Sequence, residues 1–276
     1  MPRFLSSMPE MMERGMRGPA VAGRRALAVR LGSVAVFVAA WSLASGVVVI
    51  AQLFNPIFLP GPWMVIGDIV ELAVKGQLWG HLGATLERVA LGFGTGAAAA
   101  LTLGLLAGQI QAIRNLLEPV VELLRPIPPL AMLPLFIVWV GIGEGSKVGF
   151  ITYATFFPMF LTTVHAVRQV DPLLLRAARS LGARRAQLFL RVILPAALPE
   201  LLTGVRLGVS LSFFVIVISE FVAAEAGLGY LINDGRNFFL VAQMLGAAML
   251  LGLLGYVGNE LVRLAERRLT RWQHPV

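Results

Sequence analysis

The chain has 276 residues, 57% of them hydrophobic and only 14% charged, against roughly half apolar and about a quarter charged in an ordinary soluble domain. So few charges cannot cover a water-facing surface at this length, which excludes an ordinary soluble fold and leaves lipid to cover much of the chain. A formal net charge of +8 would suit nucleic acid, but the basic residues sit in short stretches between apolar runs, with no aromatic residues interleaved for base stacking, so no nucleic-acid partner is expected.

The amino-terminal tail, 1–30, carries Arg3, Arg14, Arg17, Arg24, Arg25 and Arg30 ahead of the first apolar run. That run is too long for a secretory signal and lacks a small-residue cleavage site, so it reads as a retained helix over 31–54. Asn55, Pro56, Pro60, Gly61 and Pro62 form a turn-rich exit from it. Further spans are expected at about 89–113, 120–143, 147–167, 202–224 and 238–262, with a carboxyl tail at 263–276. A crossing helix needs roughly 20 apolar residues, with about 17 tolerated, so the fifth must take in Gly204 and Arg206 at one end and Glu220 at the other. The fold class that follows is an all-α membrane protein with six transmembrane helices. Buried helices of a soluble core usually keep a polar stripe, and 97–107 has almost none.

Gly92, Gly94 and Gly96 do not make a dinucleotide loop, because no strand precedes them. Gly92 with Gly96, and Gly104 with Gly108, instead give small-residue spacing that lets helices approach, either within one subunit or between two. In the third span Arg125 stands before Pro126, Pro128 and Pro129, which kink or break the helix and free backbone carbonyls near its cytoplasmic end. Arg125 and Pro128 are candidates for a translocation path; the arginine either meets an anionic solute or is a structural arginine snorkelling to the headgroups. Ser210, Ser219 and Glu220 in the fifth span are the other path or gate candidates, the glutamate being a gate, a structural partner of an arginine, or a substrate contact.

Lysine and arginine set the orientation. The tail, a loop with Arg114, the connection after the fourth span and the carboxyl tail hold eighteen, against four (Lys75, Arg88, Lys147 and Arg236) in the alternate loops, with Arg125 left out. Both termini are therefore expected in the cytoplasm.

The cytoplasmic connection, 168–200, contains Asp171 and Pro172, then Leu175, Arg176, Ala177, Ala178, Arg179, Ser180, Leu181, Gly182 and Ala183. Pro172 can open a helix, the alanines favour one, and Gly182 can end it in a left-handed conformation, so a short helix lying across the cytoplasmic face is expected. Arg176, Ala177, Ala178, Gly182, Val192, Leu194 and Pro195 fall at the spacings of a motif that reads Glu-Ala-Ala, three residues, Gly, nine residues, Ile, any residue, Leu, Pro. Arg176 stands in place of the glutamate and Val192 in place of the isoleucine. In this the sequence resembles the permeases of bacterial ATP-binding-cassette (ABC) importers, within the branch serving sulfonates, taurine and nitrate. Leu59 to Pro62, Gly76 to Arg88, Arg125 to Pro129, Gly141 to Glu144 and Gly227 to Tyr230 add to the resemblance.

The resemblance implies a type I importer fold and a coupling helix, Leu175 to Ala183, docking into an ATP-binding subunit. It also implies a homodimer of the permease in the bacterial inner membrane, two ATP-binding subunits and an extracytoplasmic solute-binding protein. ATP and magnesium would be bound by those partner subunits rather than by this chain, and the solute would be an organosulfonate or nitrate-like anion. Cysteine is absent, and His81, His165 and His274 are too scattered for a local metal motif, so no metal site is expected. The sequence has no catalytic triad and no phosphate-binding Gly-Lys-Ser sequence, hence a transport subunit rather than an enzyme. The alternative is a proton-coupled secondary transporter or a membrane-embedded enzyme, for which Glu220 is the main support.

Overall fold

The computed structural model describes residues 19–270 of the chain, all of its regular structure there being helical. Arg3, Arg14, Arg17, Arg271 and His274 lie outside the described residues. Among the described residues five helical segments are long and apolar enough to cross a membrane, or six if one bent pair makes a single crossing. Two compact units divide the chain, Met1–Ile66 and Gly67–Val276.

In the first unit α1 (Pro19–Ala51) carries the first apolar stretch, Gly32–Ala51. The helix starts well inside the segment expected to be a tail. At its far end the proline-rich exit folds back: Trp41 Nε1 donates to the Pro60 carbonyl at 3.1 Å and Ser45 Oγ to that of Leu59 at 3.0 Å. These side chains satisfy carbonyls that no helix could use. Asn55 caps a single 3₁₀ turn, Pro56–Phe58, through its side-chain oxygen.

The second unit follows from within α2 (Pro62–Val74) through α3 (Gln77–Gln109), α4 (Gln111–Leu124), α5 (Pro129–Val140) and α6 (Glu144–Arg168). It continues with α7 (Pro172–Ser180), α8 (Arg185–Leu188), a π turn (Phe189–Ile193), α9 (Leu194–Ala223), α10 (Leu228–Asn237) and α11 (Val241–Leu269). Here α3 begins twelve residues before the expected second span and takes Arg88 into its interior, so that arginine does not mark a loop. Lys147 likewise lies inside α6 and is buried. Both charges are paired with glutamates, as shown below, which is what lets an apolar helix carry them. The third span begins earlier than expected and is split: α4 and α5 meet at 101° across Arg125 to Pro128. Three prolines in four residues leave no continuous donor ladder there. α9 starts at Leu194 rather than 202, and α11 runs seven residues into the expected carboxyl tail. α2 and α10 were not foreseen.

The close pairing of α3 with α6 organises the unit. Gly92, Gly96, Gly104 and Gly108 recur on one face of α3 and meet Ile151, Thr155, Thr163 and Val167 of α6 in the same order, so the two helices run parallel. A Cβ at Gly92 would stand 2.5 Å from that of Ile151, and one at Gly104 2.7 Å from that of Thr163. Backbone contact on this scale is what small residues give where lipid supplies no hydrophobic drive between helices. The glycine pairs therefore serve packing within this chain. Thr152 Oγ1 adds a 3.1 Å hydrogen bond to the Gly92 carbonyl. α9 then runs antiparallel to α6, with Gly204 against Thr162 and Gly208 against Met159.

Gly104→Leu is expected to lower the stability of the detergent-purified chain by about 1–3 kcal/mol through forced separation of α3 and α6. Gly94→Leu faces open space and should stay within about 0.5 kcal/mol of the parent. Thermal unfolding followed by size exclusion measures both.

Candidate functional site: a polar clamp at one end, a docking helix at the other

At the α6 amino-terminal end of the bundle four helices converge on a buried carboxylate. Glu220, near the end of α9, has no exposed surface. Arg88 Nη1 of α3 donates to its Oε1 at 2.8 Å, Thr85 Oγ1 donates to the same oxygen at 2.9 Å, and the Gly229 N–H of α10 donates to Oε2 at 2.7 Å. The guanidinium turns its other edge to Glu144 at the start of α6, with Nε to Oε2 at 2.5 Å and Nη2 to Oε1 at 2.8 Å. Lys147 Nζ completes the group, 2.9 Å from Glu144 Oε1. Two cations and two carboxylates balance, which makes burial of Arg88, Lys147 and Glu220 tolerable while Glu144 stays open to water.

The same cluster caps α10, whose first N–H groups have no partner within the helix. His81 Nδ1 accepts from Gly227 N at 3.0 Å, Thr85 Oγ1 from Leu228 N at 2.8 Å, and Glu220 from Gly229 N. A carboxylate at a helix amino terminus also meets the favourable end of the helix dipole. Gly227 adopts φ +134°, a backbone conformation that L side chains rarely adopt, and a Cβ there would strike the Glu220 carboxyl group. Arg88 Nη1 binds the Ala226 carbonyl of the loop just before it, and His81 stacks on Tyr230 with centroids 5.7 Å apart.

Of the five path or gate residues expected from sequence, the structure brings only Arg125 and Pro128 into one cavity. This cavity, about 930 Å³, runs beside α6 from Tyr153 to Arg168 and beside α9 from Glu200 to Ile218. Ser210 instead hydrogen-bonds Asn259 of α11 and lines a second space, about 570 Å³, between α9 and α11. Ser219 is fully buried and bonds back to the Ile216 carbonyl. Glu220 stands in the clamp as the partner of Arg88. Sequence reasoning missed Thr85, Arg88, Glu144, Lys147 and His81 as one group. A signal was available, because His81, Thr85 and Arg88 are spaced four and three apart and so share one face of a helix whose only other charged residue is Glu87.

The opposite end of the bundle carries α7, Pro172–Ser180, inside the connection 168–200 and three residues earlier at each end than the expected helix Leu175 to Ala183. Asp171 caps it, its Oδ1 accepting from Leu173 N at 2.7 Å, and Pro172 takes the first helical position. It closes on Gly182 at φ +81°, with Gly182 N bonded to the Arg179 carbonyl and Ala183 N to that of Ala178, the pattern of a Schellman stop. Leu175 anchors the helix against Val170, Ala197 and Leu201. The rest of its surface is open: Leu173 is 65% exposed and Leu181 89%, with Arg176, Ala177, Arg179 and Ser180 exposed around them. The capped helix thus holds bare leucines out from the bundle.

Apolar crossings, a cavity beside α6 and α9 and an exposed helix at one end are arranged as in the type I permease fold. A solved structure titled as an amino acid ABC transporter superposes with TM-score 0.61 at 20% identity over 72% of this chain and 97% of its own. The family model described as binding-protein-dependent transport system inner membrane component matches residues 100–271, and the chain belongs to that family. The taurine transport system permease protein TauC of Escherichia coli (strain K12) is 35% identical over 91% of this chain and 92% of its own. The putative aliphatic sulfonates transport permease protein SsuC of Bacillus subtilis (strain 168) is 36% identical, covering 87% and 86%. The riboflavin transport system permease protein RibX of Chloroflexus aurantiacus is also 36% identical, over 78% and 80%. Family membership implies ATP-binding subunits and a binding protein as partners and the inner membrane as location.

Arg88→Met is expected to cost about 3–5 kcal/mol, because it strips the buried Glu220 of its counter-charge. Adding Glu220→Met should recover most of that loss. Thermal unfolding of the two variants against the parent reads the difference.

Proposed function

We propose that the chain pairs with a second copy to form the membrane path of an importer for small organosulfonates, with both termini and α7 in the cytoplasm. Two ATP-binding subunits beneath the pair bind ATP and magnesium and hydrolyse the nucleotide, and a solute-binding protein delivers cargo from outside. The similarity to TauC and SsuC over most of the chain supports the solute class. Among the observations on α7, the bare Leu173 and Leu181 on a helix fixed by Asp171 and Gly182 carry the coupling role. Arg176 in the place of the family motif's glutamate turns this surface basic, so the groove that receives it should present carboxylates.

The clamp gives the mechanism its lever. Arg88, Glu144 and Glu220 tie α3, α6 and α9 at the outer end, while the glycine seam holds α3 to α6 along its length. Leu175 of α7 packs against a cluster that holds Ala166 of α6 and Ala197 and Leu201 of α9, so a push on α7 moves these helices together as one body. Each nucleotide state must favour one arrangement of the two copies by its contacts with α7, since only a difference in contact free energy can shift the balance. Glu220 is committed to Arg88, Thr85 and Gly229, which argues against its serving as a carrier of protons.

In proteoliposomes holding the whole assembly, labelled ethanesulfonate uptake is expected to need ATP and to be competed by taurine but not by riboflavin. Leu181→Asp should abolish co-purification of the ATP-binding subunit, because it sets a charge into an apolar contact, while leaving the permease monodisperse. Competition by riboflavin alone overturns the solute class, and uptake without any ATP-binding subunit overturns the importer reading.

A further inference from the structure

The break between α4 and α5 lies part-way along α6 rather than level with either of its ends. Tyr153 Oη donates to the Leu124 carbonyl at 3.2 Å, and Tyr153 is nine residues into α6 from Glu144 and fifteen from Arg168. At 1.5 Å per residue this sets the break about 13 Å from the clamp end and about 22 Å from the α7 end. Arg125, which follows Leu124, therefore stands near mid-depth, where a snorkelling role at the headgroups is out of reach.

The cavity beside it has an apolar body and few charges. Arg125 lines it at the break, and Arg168 and His165, on one face of the last turn of α6, line it at the α7 end. Among the described residues Arg125 and Arg168 make no ion pair, while of the two lining carboxylates Glu118 stands 4.0 Å from Arg114 and Glu200 makes no ion pair. Two arginines and two carboxylates thus line the cavity, and Arg125 is the charged residue at the break itself. A guanidinium in an apolar channel attracts oxyanions and offers a planar fork that fits two of their oxygens.

We propose that Arg125 is the anion-selecting residue of the path, midway along it, with Arg168 and His165 forming a second anion-receiving position at the cytoplasmic mouth. This rests on the reading that solute crosses beside α6 and α9, but not on which solute is carried. Any small oxyanion, sulfonate or otherwise, would be drawn to the same two positions, while cations would be turned away.

The test uses the absence of native cysteine. Leu211 lines the same cavity, on the α9 turn that follows Gly204 and Gly208, which meet Thr162 and Met159, and so lies near the height of Tyr153. A Leu211→Cys variant of the full assembly is reacted with 2-sulfonatoethyl methanethiosulfonate and with its cationic trimethylammonium counterpart. The ratio of anionic to cationic rates reads the local potential whatever the transported solute is. On adding Arg125→Gln that ratio should fall by about tenfold, Arg125→Lys should retain it, and Arg168→Gln, more than a screening length away, should change it less than about twofold. A ratio that Arg125→Gln leaves within about twofold overturns the proposal. If the ratio behaves as expected but ethanesulfonate is not transported, the proposed solute fails and the anion-selecting position stands.

Discussion

A carboxylate with no exposed surface, carried on a helix that crosses lipid, is the constraint from which the rest of this structure follows. Leaving Glu220 ionised and unpaired would cost several kcal/mol, so its position dictates where Arg88 must be. Arg88 in turn requires a second carboxylate for its free edge, which fixes the start of α6 at Glu144. The remaining oxygen of Glu220 needs a donor, which the start of α10 supplies through Gly229. One buried charge thus determines the relative placement of α3, α6, α9 and α10.

Clamp and seam are complementary. Hydrogen bonds and ion pairs concentrate at one end, where the chain turns and water can approach Glu144; along the shared length of α3 and α6 the contact is glycine against methyl and hydroxyl groups. Removing side chains is how two helices gain attraction in lipid, since packing and not exclusion from water must hold them. The result is a unit stiff from the clamp to α7. Compliance is left to the break between α4 and α5 and to the π turn that enters α9, a form of helix often found at functional positions.

What the sequence discloses depends on how local the physics is. Asp171, Pro172 and Gly182 set the limits of α7 through contacts two to five residues apart, so its opening, its end and its left-handed stop are legible from the letters alone. The glycine spacing of α3 likewise declares a close approach, but not its partner, which lies about 60 residues on. Arg88 misleads for the same reason in reverse. A lone arginine between apolar runs reads as the mark of a loop, and only partners 56 and 132 residues away make it a core residue. The early start of α3 was hidden with it. The first turns of α4 escaped notice because Glu118, Pro119 and Glu122 interrupt its apolar pattern, and α10 because its short polar sequence is held by side chains from α3 and α9.

The central claim is that α3, α6 and α9 move as one body when ATP-binding subunits push on α7. The most direct measurement places spin labels at Trp79→Cys and Val222→Cys, on exposed faces of α3 and α9 near the clamp, in one copy of the whole assembly. A second preparation is labelled at Ser180→Cys on α7 of both copies, and each is measured by pulsed dipolar spectroscopy with and without ATP. The account predicts that the Trp79 to Val222 distance keeps its centre and width while the α7 to α7 distance changes. A shift of the Trp79 to Val222 distance on binding ATP would contradict it, because the clamp would then open during the cycle instead of holding the bundle together.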